Sequence, residues 1–205
     1  MTNAIRAIYE NKLVGIIRED DKEKAIEIAK AYIEGGIKII EMVAPIEAIK
    51  EVAKNENIFV ARGGIITREQ ALDAISVGAK LLVSPILQMG LVKLSSSYKT
   101  PLILTATTPN EAYQAWKARV PLIKIFPSQQ MGGAIYIQDL LRPMPFLNVI
   151  ATGNVLLEDF HEYLEVGATA VTIGRDFWQY ATYEDITSRA QAAVEKINAF
   201  KELKK

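Results

Sequence analysis

Lys124 stands in the apolar run "LIKIF" at 122–126, which leads into "PSQQMGG". An ammonium inside a buried strand must be paired, solvated or deprotonated, because an unpaired buried charge costs several kcal/mol or more. A deprotonated amine there would point to function, since perturbed pKa values cluster at functional sites. Glu41 interrupts a second apolar run, "IKIIEMV" at 37–43, where a carboxylate can either pair with a base or move protons. Side chains alternate along a strand, so Ile37, Ile39 and Glu41 share one face, as do Leu122, Lys124 and Phe126. If both faces point into one interior, the amine and the carboxylate meet. Further polar groups close similar runs: Arg18, Arg62, Thr105, Thr107, Thr152 and Arg175. "IATGNV" and "TIGRDF" each run from an apolar stretch through a glycine, Gly153 or Gly174, toward a helix start. Free N–H groups and the helix dipole favour anions at such places. Plainer readings exist for each residue. Lys124 can snorkel to water or form a structural ion pair with Glu41, and the glycines can be turns only. Against a purely structural pair stands its energetics, since apolar replacement of a buried pair is often neutral or stabilising.

The elements that would position these groups repeat. "AKAYIEGGIKIIEMV", "ALDAISVGAKLLVS", "AYQAWKARVPLIKIF" and "FHEYLEVGATAVTIG" each read as an amphipathic helix, a break and a strand. Gly35, Gly78 and Gly167 fall where a helix C-terminus favours a residue tolerant of positive φ. The strands are nearly continuous in apolar character, as parallel strands covered on both faces are. With "LVGII" (13–17), "IFVA" (58–61), "LILTA" (102–106) and "NVIA" (148–151) the strand candidates number eight. Helices are expected at 22–34, 45–54, 67–77, 88–96, 109–118, 132–141, 156–165 and 182–200, with a short one before the first strand. This alternation predicts a compact (β/α)8 TIM barrel, one domain over 1–205, with an open doubly wound sheet as the alternative. In a barrel, chemistry sits at the C-terminal strand ends, and phosphate sites follow strands 7 and 8.

Composition removes several function classes. The 24 Lys and Arg balance 24 Asp and Glu, so charge supplies no reason to expect nucleic acid or an anionic membrane as partner. No cysteine is present and His161 is the single histidine, which leaves no thiolate nucleophile, disulfide framework or His-rich metal site. His161, in "LEDFHEYLEVG", reads as a helix-surface residue. The N-terminus lacks a signal-peptide pattern and no apolar run reaches membrane-spanning length, so a cytoplasmic protein is expected.

At "KIFPSQQMGG" the chain resembles the class I aldolases that act on 2-keto-3-deoxy-6-phosphogluconate and 4-hydroxy-2-oxoglutarate, which typically read K-x-F-P-[AG]-x-x-x-G-G there. "GGIKIIE", "GAKLLVSP", "TPNEAYQA" and "ATGNV" resemble further family motifs in the same order. The resemblance implies that Lys124 forms an imine with pyruvate or a longer 2-keto acid, that Glu41 is its acid/base partner, and that Thr152 is the pocket threonine. It implies no metal or other cofactor, a small anionic 2-keto acid as substrate, and a homotrimer. An apolar pocket would favour the neutral amine that this chemistry needs.

The chain also departs from the family. Pro45 stands where an arginine usually helps bind the substrate carboxylate, and Gly64 stands where the family has threonine, with Arg62 new beside it. Asn154 replaces the second glycine of T-G-G, and Arg175 replaces the serine of the phosphate turn. Carboxylate recognition is therefore expected to shift to Arg18 or Arg62, with Arg175 holding a phosphate or second carboxylate. Two rival readings remain open on the residues: an epimerase- or isomerase-like barrel without an imine, and a catalytically altered ligand-binding homologue.

Overall fold

The computed structural model describes residues 1–203. Its strands are β1 (Leu13–Arg18), β2 (Ile39–Val43), β3 (Phe59–Arg62), β4 (Leu81–Val83), β5 (Leu102–Ala106), β6 (Ile123–Ile125), β7 (Val149–Ala151) and β8 (Ala170–Ile173). They pair in chain order and β8 returns to β1, all parallel, which closes a (β/α)8 barrel. An open sheet would have left β1 and β8 with unpaired edges. The helices are α1 (Asn3–Asn11), α2 (Lys22–Glu34), α3 (Ile46–Val52), α4 (Arg68–Ser76), α5 (Gly90–Ser97), α6 (Pro109–Lys117), α7 (Gly133–Leu141), α8 (Phe160–Glu165), α9 (Arg175–Trp178) and α10 (Tyr183–Leu203).

Two apolar layers explain why the strands read as continuous apolar runs. Outward residues such as Ile40, Leu82, Leu104, Ile123 and Val171 pack against the helices. Inward residues, among them Val14, Ile39, Ala61, Leu81, Leu122, Ile150 and Ala170, meet Ala4, Ile5, Ala7 and Ile8 of α1. That first helix therefore plugs the N-terminal mouth. It starts at Thr2, whose hydroxyl accepts a hydrogen bond from the Ile5 N–H, an N-cap that satisfies an otherwise unpaired amide. Among the described residues, no helix is long and apolar enough to cross a membrane.

Local chemistry places the outer helices. Thr67 with Gln70 and Thr108 with Glu111 form capping boxes, the second with Pro109 in the first turn, so α4 and α6 begin close to their strands. Details differ from the sequence reading: α8 begins at Phe160, where the sequence reading has a helix from 156. The segment after β8 holds two helices, the four-residue α9 and then α10, where one helix from 182 was expected. At the end of α2 the positive φ belongs to Gly36 (+91°), while Gly35 has φ −72°. Gly35 is required for space, since a Cβ there would lie 2.4 Å from Ala190 Cβ of α10.

Candidate active site

Strand alternation delivers the two central groups to the barrel interior. Ile39 and Leu122 lie in the inner layer, so Glu41 and Lys124, two residues further on, point inward just above it. The backbones are apart, with Glu41 paired to Ile16 and Ala61 and Lys124 paired to Thr105 and Ile150. Long side chains close the gap: Lys124 Nζ donates to Glu41 Oε2 at 2.6 Å, with each side chain only 5% exposed. Neither charge is orphaned, which answers how a lysine is tolerated in this layer. Gly63 makes room for the carboxylate, because a Cβ on it would stand 2.7 Å from Glu41 Oε1 and 2.8 Å from Val43 Cγ2.

Above the pair opens a cavity of about 1150 Å³. Its floor and lower wall include Ile16, Val83, Thr105, Thr152 and Thr172, and its rim includes Arg18, Gly153, Asn154, Gly174, Arg175, Trp178 and Tyr180. Thr105 donates its hydroxyl to the Ser84 carbonyl at 2.6 Å. The turn after β6 is tied to β7 by Ser128, which donates to the Ile125 carbonyl at 2.7 Å and accepts from the Thr152 N–H at 3.1 Å. Gly153, at φ +97°, lies so close to Phe126 and Pro127 that a Cβ would approach both to 2.9 Å. Trp178 is fixed by its indole N–H on the Ile16 carbonyl at 3.1 Å. Farther out, Tyr163 donates to Gln129 Oε1 at 2.5 Å. Burial first, then Asp159 and Glu162, push that phenol up to about 12, so it stays a donor across neutral pH.

The arginines separate into two kinds. Arg18 and Arg175 line the cavity, and neither has a carboxylate within ion-pairing distance among the described residues. Arg175 Nη2 instead donates to Asn154 Oδ1 at 2.7 Å, so a neutral amide and not a carboxylate orients the guanidinium. Arg62 does not line the cavity. Its Nη1 donates to the Ala44 carbonyl at 2.9 Å and the Met42 carbonyl at 3.4 Å, and burial lowers its pKa. It covers the end of β2, so of the two arginines expected to take over the carboxylate only Arg18 faces the cavity. His161 is on α8, exposed and beside Phe160, away from this cavity.

Sequence reasoning passes over Thr172, although the alternation Ala170, Thr172, Gly174 in "ATAVTIG" carries the signal. It also takes Asn154 only as a lost glycine, because its contact with Arg175 joins two loops. Among the described residues, no group of three or more His, Asp or Glu side chains is arranged to hold a metal ion.

A family model, that of the KDPG and KHG aldolases, matches residues 5–197. The chain belongs to this family. Family membership makes it an aldolase, a lyase on a closed barrel. Among its relatives, the 2-dehydro-3-deoxy-phosphogluconate aldolase of Dickeya dadantii is 26% identical over 203 residues, spanning 94% of this chain and 95% of the relative. The KHG/KDPG aldolase of Escherichia coli is 25% identical over 204 residues, covering 95% and 96% of the two chains. The solved KDPG aldolase of Legionella pneumophila, with pyruvate captured as a covalent carbinolamine, superposes with a TM-score of 0.84 at 21% identity, covering 94% and 98%.

Proposed function

We propose that this aldolase works through an imine on Lys124 and reversibly cleaves a 2-keto acid that carries a hydroxyl at C4 and a second anionic group. The observation that carries this reading is the buried Lys124–Glu41 contact at 2.6 Å beneath a cavity whose lining includes Arg18 and Arg175. Transfer of the ammonium proton to Glu41 leaves a neutral amine, which adds to the C2 ketone. Glu41 returns the proton to the carbinolamine hydroxyl, water leaves, and a protonated imine forms. Glu41, a carboxylate again after dehydration, takes the C4 hydroxyl proton and the C3–C4 bond breaks. Its electron pair moves toward the iminium nitrogen, giving an enamine and an aldehyde. Glu41 passes that proton to C3 of the enamine, and hydrolysis of the resulting imine by water releases pyruvate and restores Lys124. The relative that holds pyruvate as a carbinolamine supports the first half of this sequence. In this chain, Glu41 is the carboxylate in contact with the Lys124 amine, at 2.6 Å.

Arg18 is assigned to the carboxylate next to C2 and Arg175 to the distal anion, with Thr152, Gly153 and Gly174 lining the path between them. Guanidinium suits a carboxylate or a phosphate through paired donors. The substrates named for the relatives, 2-keto-3-deoxy-6-phosphogluconate and 4-hydroxy-2-oxoglutarate, satisfy both ends. We also assign the homotrimer implied by the resemblance. Exposed apolar side chains, including Ile86, Phe126 and Ile135, support burial against other copies, and native mass measurement tests it.

Turnover tests the functional reading. Pyruvate release from each of the two named 2-keto acids, followed in the presence of a chelator, should proceed for the wild type and vanish in Lys124→Met. Release from neither, by a folded protein, would contradict the reading and favour a binding homologue.

A further inference from the structure

Thr172 sits on β8 with its hydroxyl buried and without a hydrogen-bond partner in the protein. Buried hydroxyls are nearly always paired, so an unpaired one calls for an explanation. Its position supplies one. Ile150 and Ala170 are register partners on β7 and β8, and both face the barrel interior. One alternation further along each strand stand Thr152 and Thr172, side by side on the same inward face, and both line the cavity. They lie between the Lys124 layer and the rim that carries Asn154 and Arg175.

A substrate bonded to Lys124 with its distal anion at Arg175 must pass these two threonines. C3 and C4 are the substrate atoms between those two anchors, and the bond between them is the one that breaks. We propose that Thr172, together with Thr152, binds the oxygen on C4 and follows it from hydroxyl to aldehyde carbonyl, which makes Thr172 a specificity-determining contact for the aldol half of the reaction. A hydroxyl can accept a hydrogen bond from the C4 hydroxyl before cleavage and donate one to the carbonyl oxygen after it. Thr105 on β5 is a poorer candidate because its proton is committed to the Ser84 carbonyl. A substrate lacking the C4 oxygen would leave Thr172 unpaired, and sites built to hydrogen-bond a hydroxyl discriminate strongly against analogues without it.

This inference rests on the imine reading, and its test separates the two. Thr172→Val keeps the side-chain shape and removes the hydroxyl; Thr172→Ser keeps the hydroxyl and removes a methyl. Two activities are measured on wild type and both variants: borohydride trapping of pyruvate on Lys124, and cleavage of whichever of the two named 2-keto acids the wild type turns over. The expected result is that Thr172→Val traps pyruvate as the wild type does, retains an equal or higher Tm, and loses at least tenfold in kcat for cleavage, while Thr172→Ser recovers most of the loss. Cleavage by Thr172→Val at the wild-type rate would overturn the proposal, as would equal loss of trapping and cleavage in a folded variant. If the wild type itself fails to trap pyruvate, the functional reading falls first.

Discussion

The Lys124–Glu41 pair makes a quantitative prediction about stability. Both side chains are 5% exposed and 2.6 Å apart, so removing one partner leaves the other nearly buried without its counter-charge. The stranded group avoids burying its charge by becoming neutral, and the cost is then that of shifting its proton at the working pH. In Lys124→Met, protonating an ordinary glutamate with a reference pKa of about 4.3 costs about 3.7 kcal/mol at pH 7. In Glu41→Leu, deprotonating an ordinary lysine with a reference pKa of about 10.4 costs about 4.6 kcal/mol. For a chain of this size each kcal/mol moves Tm by about 2–4 °C, so the losses are roughly 7–15 °C and roughly 9–18 °C. Their pH dependences run in opposite directions. The Lys124→Met fold holds an extra proton relative to its unfolded chain, so it regains stability as pH falls toward about 4. The Glu41→Leu fold holds one proton fewer and regains stability as pH rises. The double variant strands nothing and is expected within a few degrees of the wild type or above it, since apolar replacement of a buried pair is often neutral or stabilising. Thermal unfolding of the four proteins between pH 5 and 9 reads all of this. Single variants within about 2 °C of wild type, with no opposed pH trends, would refute the claim that the two side chains depend on each other. A stable, inactive double variant would show that the pair is kept for chemistry.

Other expectations concern single sites. Gly63→Ala pushes a methyl to 2.7 Å from Glu41 Oε1, and misplacement of a reacting group by about 1 Å lowers rate on the order of 100-fold. It should cost about 10- to 100-fold in kcat with an intact circular dichroism spectrum; unchanged turnover would mean that Glu41 has slack. Arg175→Ala removes a charge-assisted contact and should raise KM by about 10- to 100-fold, whereas Arg62→Ala should leave KM unchanged and lower Tm by uncovering the Met42 and Ala44 carbonyls. Equal KM effects would reverse the assignment of the two arginines. Glu111 accepts from the Thr107 and Thr108 backbone N–H groups, which hold its carboxylate below the usual range. It therefore contributes stability above the unfolded value of about 4.3 and loses it as pH falls through the depressed folded value. The Tm gap between wild type and Glu111→Gln should narrow below about pH 4, and a gap constant with pH would contradict this.

How much of the site was legible depended on whether a signal was local. Glu41 and Lys124 were readable because strand alternation is a period-two rule, and each charge interrupts an otherwise apolar run. The barrel was readable because the helix–break–strand unit recurs, and closure adds only that β8 finds β1. Arg62 was misplaced by the same local logic: it ends its strand as Arg18 does, but its side chain turns to the carbonyls of the neighbouring β2 end. Nothing in "ARGGI" distinguishes these choices. The Asn154–Arg175 contact joins residues 21 positions apart, and sequence shows only two separate departures from a family pattern. The break between α9 and α10 follows from a tertiary contact as well, since Arg189 of α10 donates to the Asp176 and Phe177 carbonyls of α9. Propensity could not anticipate that cap. Gly35 and Gly36 are adjacent and equally permissive, and only the approach of α10 decides which one supplies space and which the turn.

The central claim is that Lys124 is the residue that bonds to the substrate. Incubation with pyruvate and sodium borohydride, followed by peptide mass mapping, tests it most directly. A reduced pyruvate adduct should appear on the peptide that contains Lys124, and it should be absent from a Lys124→Arg variant of unchanged fold. An unmodified Lys124 in folded protein at saturating pyruvate, or an adduct carried by another lysine, would contradict the account.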